Sequence, residues 1–115
     1  MRVLLTGFEP FGGSYINSSW ETAYQIGQLT INGVDMEVAQ LPVSFVSSGK
    51  LIRKLLQTHK PDALVMLGQR GKGQKIDIER LAVNMMDSAN PDNDGFCPHE
   101  LSIVENGSNA YFSNV

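Results

Sequence analysis

The sequence is short of several things that define whole classes of protein. A single cysteine in 115 residues leaves no disulfide within the chain. A reducing, cytoplasmic setting is therefore expected, and the N-x-Ser sequons at Asn17 and Asn106 read as chance matches. Basic residues are scarce, 9 Lys and Arg against 12 Asp and Glu, for a net charge of −3. Binding phosphate backbones needs clustered Lys and Arg that release counterions, so no nucleic-acid partner is expected. No apolar run approaches the ~20 residues that cross a bilayer. The opening Met1-Arg2-Val3-Leu4-Leu5-Thr6-Gly7-Phe8-Glu9 has too short an apolar stretch for a secretory leader, so no membrane partner is expected either. Internal repeats and low-complexity tracts are missing too. At this length one domain, residues 1–115, is the expectation.

What is present is an alternation of element types. Val3-Leu4-Leu5 is a wholly apolar run closed by Gly7, as for a strand buried on both faces. Ser18, with Glu21 three residues on, reads as a capping box opening a helix whose Trp20, Ala23 and Tyr24 share one face. A second strand falls within residues 36–43 and is closed by Pro42. Ser47 or Ser48 then caps a second helix, with Leu51, Ile52, Leu55 and Leu56 as its apolar stripe, and Lys60-Pro61 stops it. Ala63-Leu64-Val65-Met66-Leu67 is the third buried strand. Residues 76–84 are expected to be extended, residues 85–99 loop-like, and residues 101–104 a short strand. Strand, helix, strand, helix, strand implies parallel pairing through right-handed crossovers. The fold class is α/β, a mostly parallel twisted sheet with helices on both faces. In such folds ligands sit on the loops at the carboxyl ends of the strands.

Those loops hold the chemistry-bearing residues. Thr6-Gly7-Phe8-Glu9-Pro10-Phe11-Gly12-Gly13 sets two phenylalanines around Glu-Pro. The rings could grip a flat apolar group, or simply cover the core. Gly68-Gln69-Arg70-Gly71-Lys72-Gly73 suggests a phosphate cradle. It lacks the Lys-Ser/Thr pair and the following helix of a Walker loop, and a glycine-rich turn with solvated charges accounts for it. Glu79 lies among Ile76, Ile78, Leu81 and Val83, where a carboxylate wants a partner. Arg80 or Arg70 would make a structural pair, whereas a histidine would make Glu79 the third member of a catalytic triad. Cys97-Pro98-His99 has the residue types of a thiol nucleophile and its base. Neighbours across a proline seldom reach each other, and a surface loop is the simpler reading. His59 ends the second helix, where a partial positive charge is favourable. Asp92-Asn93-Asp94-Gly95 lacks the remaining spacing of a calcium loop and reads as a turn. No metal site or cofactor is expected.

Taken in order, these segments resemble the pyroglutamyl peptidase I (pyrrolidone-carboxylate peptidase) family of cysteine exopeptidases. The matching stretches are Thr6 through Gly13, Asn17 before Trp20-Glu21, Leu41-Pro42-Val43, Gly68-Gln69, and Ile76 with Glu79-Arg80. Further along come Ala82 with Asn84, Pro91-Asp92-Asn93 before Gly95, and Ala110-Tyr111-Phe112-Ser113. The resemblance implies removal of an N-terminal pyroglutamate by a Cys-His-Glu triad without metal or cofactor. It makes Glu79 the triad carboxylate, and Phe8 and Phe11 the pair that holds the pyroglutamyl ring. Asn17 and Gln69 would read the polar edge of the lactam, Gln69 through its backbone, and Val43 would line the same pocket.

Departures from the family pattern carry equal weight. The nucleophilic cysteine and the histidine of the family lie beyond Ala-Tyr-Phe-Ser, and neither Cys97 nor His99 matches them. Family members are about twice as long. Many carry Gly-Arg where Lys72-Gly73 stands, and an arginine near Ala89. The expectation is a truncated α/β domain with open sheet edges and an exposed apolar face, inactive alone, with homo-oligomer formation open to it. The alternative is a non-catalytic binding or assembly protein derived from that fold, with a phosphate-binding module a more distant third.

Overall fold

In a computed structural model the described residues are 1–71 and 73–114. Strand β1 (Arg2–Phe8) leads to helix α1 (Ser18–Gly27), β2 (Asp35–Leu41), α2 (Phe45–His59) and β3 (Ala63–Met66). These strands form a parallel three-stranded sheet in the order β2-β1-β3. The chain steps one way across β1 to reach β2 and the other way to reach β3. Right-handed crossovers therefore put α1 and α2 on opposite faces. Contacts on the α1 side agree, since Val38 of β2 lies against Gly27 of α1. The α/β reading with helices on both faces holds.

The core is centred on β1, where Leu4, Leu5 and Thr6 are buried, with Ala23 of α1 and Leu41 of β2. Gly7 is required there by proximity: a Cβ at this position would stand 2.5 Å from the Ser19 carbonyl oxygen. The α1 backbone thus crosses directly over the end of β1, an approach open only to glycine.

Several sequence expectations are corrected. Asn17, not Ser18, caps α1, and Ser44, not Ser47 or Ser48, caps α2. In both cases the cap is the last extended residue, whose side chain reaches a backbone N–H of the first turn. The stripe Leu51, Ile52, Leu55 and Leu56 is only half-buried. The third strand is not buried: Val65 and Met66 are 43% and 61% exposed, because β3 forms the edge of the sheet among the described residues. Of residues 76–84, only Leu81–Val83 (β4) forms a strand, antiparallel to Ala110–Phe112 (β5). Ile76 and Ile78 lie 98% and 75% exposed. Residues 101–104 do not form a strand beyond a single bridge between Leu101 and Met86. The amides of Ile103 and Val104 instead donate to Asn84 Oδ1 at 2.9 and 2.8 Å, which bends the segment away from any ladder. Exposed apolar side chains thus stand on β3 of the three-stranded sheet and, separately, on β4 and β5 of the two-stranded one, as expected of incompletely covered sheets.

Candidate functional site

The loops after the strands are joined by a continuous hydrogen-bond network. It begins where β1 ends: the Phe8 amide donates to Ser19 Oγ (2.9 Å), and Ser19 Oγ–H donates to Asn17 Oδ1 (2.7 Å). Asn17 is buried, 2% exposed. Its Oδ1 also accepts from the Ser19 amide (3.0 Å), and its Nδ2 donates to the Glu9 carbonyl (3.0 Å). Asn17 thus caps α1 and ties the glycine-rich loop to it. The Glu9 amide donates to the Leu41 carbonyl (2.9 Å), and Glu9 Oε1 accepts from the Val43 amide (2.9 Å).

The first N–H of each helix is taken by a side chain from a distant loop. In α1 the Ser18 amide donates to Gln69 Oε1 at 2.7 Å. In α2 the Phe45 amide donates to Asp92 Oδ2 at 2.9 Å. Helix N-termini carry orphan donors and partial positive charge, so an amide oxygen and a carboxylate are both suited to them. The Phe45 amide is the largest influence holding the Asp92 carboxyl below its ordinary value; burial opposes it, and the amides of Phe96, Asp94 and Gly95 act with it. The Asp92-Asn93-Asp94-Gly95 stretch is a turn, as expected: Asp92 Oδ1 accepts from the Asp94 and Phe96 amides, and Gly95 has φ of 85°. It also acts at long range. Asn93 Nδ2 donates to Glu9 Oε1 (3.1 Å) and to the Pro10 carbonyl (3.0 Å).

Of the expected site residues, Phe8, Asn17, Val43 and Gln69 belong to this network. Phe11 sits on the same loop as Glu9 and is 40% exposed; it forms no aromatic pair with Phe8 among the described residues. Glu79 is exposed, two residues before β4, and makes no hydrogen bond or ion pair among the described residues. The structural alternative for it is not realised through Arg70, which pairs with Asp77 at 2.6 Å. Two hollows among the described residues lie elsewhere. One is at the amino ends of the strands, lined by Arg2, Leu4, Glu37 and His59; the other lies between α1 and β2, around Trp20, Tyr24 and Val38.

The other candidates are quiet. Cys97 Sγ–H donates to the Ser88 carbonyl (3.3 Å), while His99 Nδ1 faces Asp87 at 3.8 Å, so the two do not form a nucleophile–base pair. No helix follows the loop at residues 68–75, and Lys72 within it lies outside the described residues. No group of three or more His, Cys, Asp or Glu side chains is gathered for a metal among the described residues. Likewise no helix there is long and apolar enough to cross a membrane. Glu9, Asp92 and Asn93 are the contributors that local patterns do not assign, because their partners lie 34, 47 and 84 residues away.

A doubly wound α/β unit with its polar groups gathered on the loops after its strands is an enzyme-like or ligand-binding architecture. Within that class the assignment is specific. The chain belongs to the pyroglutamyl peptidase family, whose family model matches residues 1–115. It is 43% identical to the pyrrolidone-carboxylate peptidase of Thermococcus onnurineus and 42% identical to that of Thermococcus kodakarensis, across all of this chain. It spans only 57% and 55% of those relatives' own lengths. Among solved structures, the pyrrolidone carboxyl peptidase of Fervidobacterium islandicum superposes with a TM-score of 0.94 at 38% identity, over 97% of this chain and 54% of that one. Pyroglutamyl peptidase I of Bacillus amyloliquefaciens gives 0.92 at 35% identity, again over 97% of this chain and 54% of that one.

Proposed function

We propose that this chain forms the ring-recognition part of a pyroglutamyl peptidase, which in its complete form removes pyroglutamate from peptide N-termini. Phe8 and Phe11 hold the faces of the lactam, Val43 lines the pocket, and Asn17 and Gln69 read its polar edge. None of these side chains carries a charge, which suits a neutral guest. Glu79 is the triad carboxylate that orients the catalytic imidazole and stabilises its protonated form. In the complete enzyme a cysteine thiolate attacks the carbonyl that joins the pyroglutamyl group to the next residue. The amine leaves with a proton from the imidazole, and water hydrolyses the acyl-enzyme. No residue of this chain matches the cysteine or the histidine, so these 115 residues alone are inactive. The reading includes a cytoplasmic location and self-association, and needs neither metal nor cofactor.

The observation that carries it is the family match over the whole chain, combined with a network linking Phe8, Asn17, Val43 and Gln69 at one end of the sheet. The test uses a pyroglutamyl arylamide. The purified chain should give no iodoacetamide-sensitive turnover. Turnover should appear when it is mixed with the carboxyl-terminal part of the Thermococcus onnurineus relative. In that mixture Glu79→Gln should lower kcat on the order of 10⁴-fold, as expected for a triad carboxylate. It should leave the chain's unfolding midpoint unchanged, since Glu79 is exposed and makes no bond among the described residues. Turnover by the chain alone, or turnover indifferent to Glu79→Gln, refutes the proposal.

A further inference from the structure

Glu9 holds together three segments that the proposed pocket draws upon. Its amide continues the β1–β2 ladder by donating to the Leu41 carbonyl, and its own carbonyl accepts from Asn17 Nδ2. Its side chain leaves that ladder, and Oε1 accepts from both the Val43 amide (2.9 Å) and Asn93 Nδ2 (3.1 Å). The Val43 peptide is gripped from both sides, because its carbonyl accepts from the Asn93 amide at 2.9 Å. Asn93 closes the ring through the Pro10 carbonyl, between Glu9 and Phe11. Connecting loops of this kind, left untied, sample many conformations. Here one carboxylate oxygen fixes the path of the loop that carries Phe8 and Phe11 relative to Val43.

We propose that Glu9 is a positioning residue for the ring pocket: through Oε1 it holds Val43 and Asn93 so that Phe8, Phe11 and Val43 keep one arrangement before a substrate arrives. Preorganisation of this kind strengthens binding by removing the ordering cost at the moment of association. The proposal rests on the pyroglutamyl reading for the identity of the guest, but not for the geometry. It also separates position from charge. Both bonds end on Oε1, so a glutamine can supply the same acceptor. An aspartate is shorter by one carbon–carbon bond, about 1.5 Å, and cannot reach.

The experiment compares the 115-residue chain with its Glu9→Gln, Glu9→Ala and Glu9→Asp variants. Amide hydrogen exchange is followed by NMR, and pyroglutamyl amide is titrated as the probe. Glu9→Ala and Glu9→Asp should accelerate exchange at Val43 and Asn93 and weaken probe binding by roughly tenfold, while Leu4 and Leu5 stay protected. Glu9→Gln should restore both properties to within about twofold of the original chain. Should Glu9→Ala not fold, Asn93→Ala takes its place. It removes one of the two donors on Oε1 and should weaken the probe while leaving Leu4 and Leu5 protected. Unchanged exchange at Val43 and Asn93 in Glu9→Ala overturns the inference, as does a Glu9→Gln variant no better than Glu9→Ala. If the unmodified chain ignores the probe while the exchange pattern appears as described, the positioning role stands and the pyroglutamyl reading fails.

Discussion

Replacing Asn17 by alanine should be among the most damaging changes of a single polar residue in this chain, and the structure allows the size of the effect to be worked out. Its Oδ1 serves the Ser19 amide and hydroxyl, its Nδ2 serves the Glu9 carbonyl, and the side chain is buried. Loss of an N-cap costs about 1 kcal/mol, and up to 2 where the cap is well made. Polar groups stranded in the interior add about 1–3 kcal/mol more. The expected destabilisation is therefore about 2–5 kcal/mol, or roughly 8–20 °C in Tm for a domain of this size. Aspartate is the informative control. It caps an isolated helix as well as asparagine does. Here, however, it would turn an acceptor toward the Glu9 carbonyl in place of a donor. Asn17→Asp should then lose about 1–3 kcal/mol despite an intact cap. Urea unfolding followed by Trp20 fluorescence suits the measurement, since Trp20 is the only tryptophan and lies within α1. An Asn17→Ala variant within about 0.5 kcal/mol of the original chain refutes the reasoning. An Asn17→Asp variant that matches the original removes the role assigned to the Glu9 carbonyl.

Three further substitutions probe the same packing and hydrogen bonds. Gly7→Ala should destabilise by about 3 kcal/mol or more, because the new Cβ would meet α1 backbone atoms at 2.5–2.6 Å, a clash that only a shift of the helix relieves. Gly27→Ala should cost less than Gly7→Ala: its Cβ would meet the Val38 Cγ2 methyl at 2.5 Å rather than backbone, so a change at one side-chain torsion, about 1 kcal/mol, relieves it without moving the helix, and alanine favours the helix; equal losses in thermal unfolding of the two variants would contradict the packing described. For Asp92, the folded-state carboxyl lies below its ordinary value of 3.8, chiefly through the Phe45 amide. Its contribution is thus complete at pH above 3.8 and is lost as acidification carries the pH through the lower, folded value. Asp92→Asn should reduce this acid-side fall in Tm, and an unchanged Tm–pH profile would show that Asp92 does not anchor α2.

How far the sequence disclosed this depends on how local each cause is. The first five elements are legible because each carries an apolar pattern at its own period: apolar runs for the strands, an i, i+3, i+4 face for α1 and α2. The caps were displaced because Asn17-Ser18-Ser19 and Ser44 through Ser48 offer several competent side chains within a few residues. Which one serves depends on where the strand stops. Burial of β3 was misjudged for a different reason. Val65 and Met66 have the composition of a covered strand, but cover comes from a neighbour, and β3 has none on its outer side among the described residues. The same applies to Ile76 and Ile78, apolar by sequence and almost wholly solvated here.

The site divides along the same line. Phe8 and Phe11 stand out because they flank a glycine-rich loop after an apolar strand, where ligands sit, whereas Gln69 stands out only through the family resemblance. The residues that fix those loops could not. Glu9 looks like an ordinary acidic loop residue until Val43 and Asn93, 34 and 84 positions away, converge on one of its oxygens. Asp92 looks like a turn former, and is one, yet its second oxygen anchors a helix 47 residues earlier. A carboxylate in a loop has no periodicity to betray its partner; only the closed fold brings the donor to it. Glu79 shows the converse. Arg70 was a reasonable structural partner by spacing, but the guanidinium lies with Asp77 instead, 2.6 Å away. Exposed two residues before β4, Glu79 is left to solvent, which costs a surface carboxylate little.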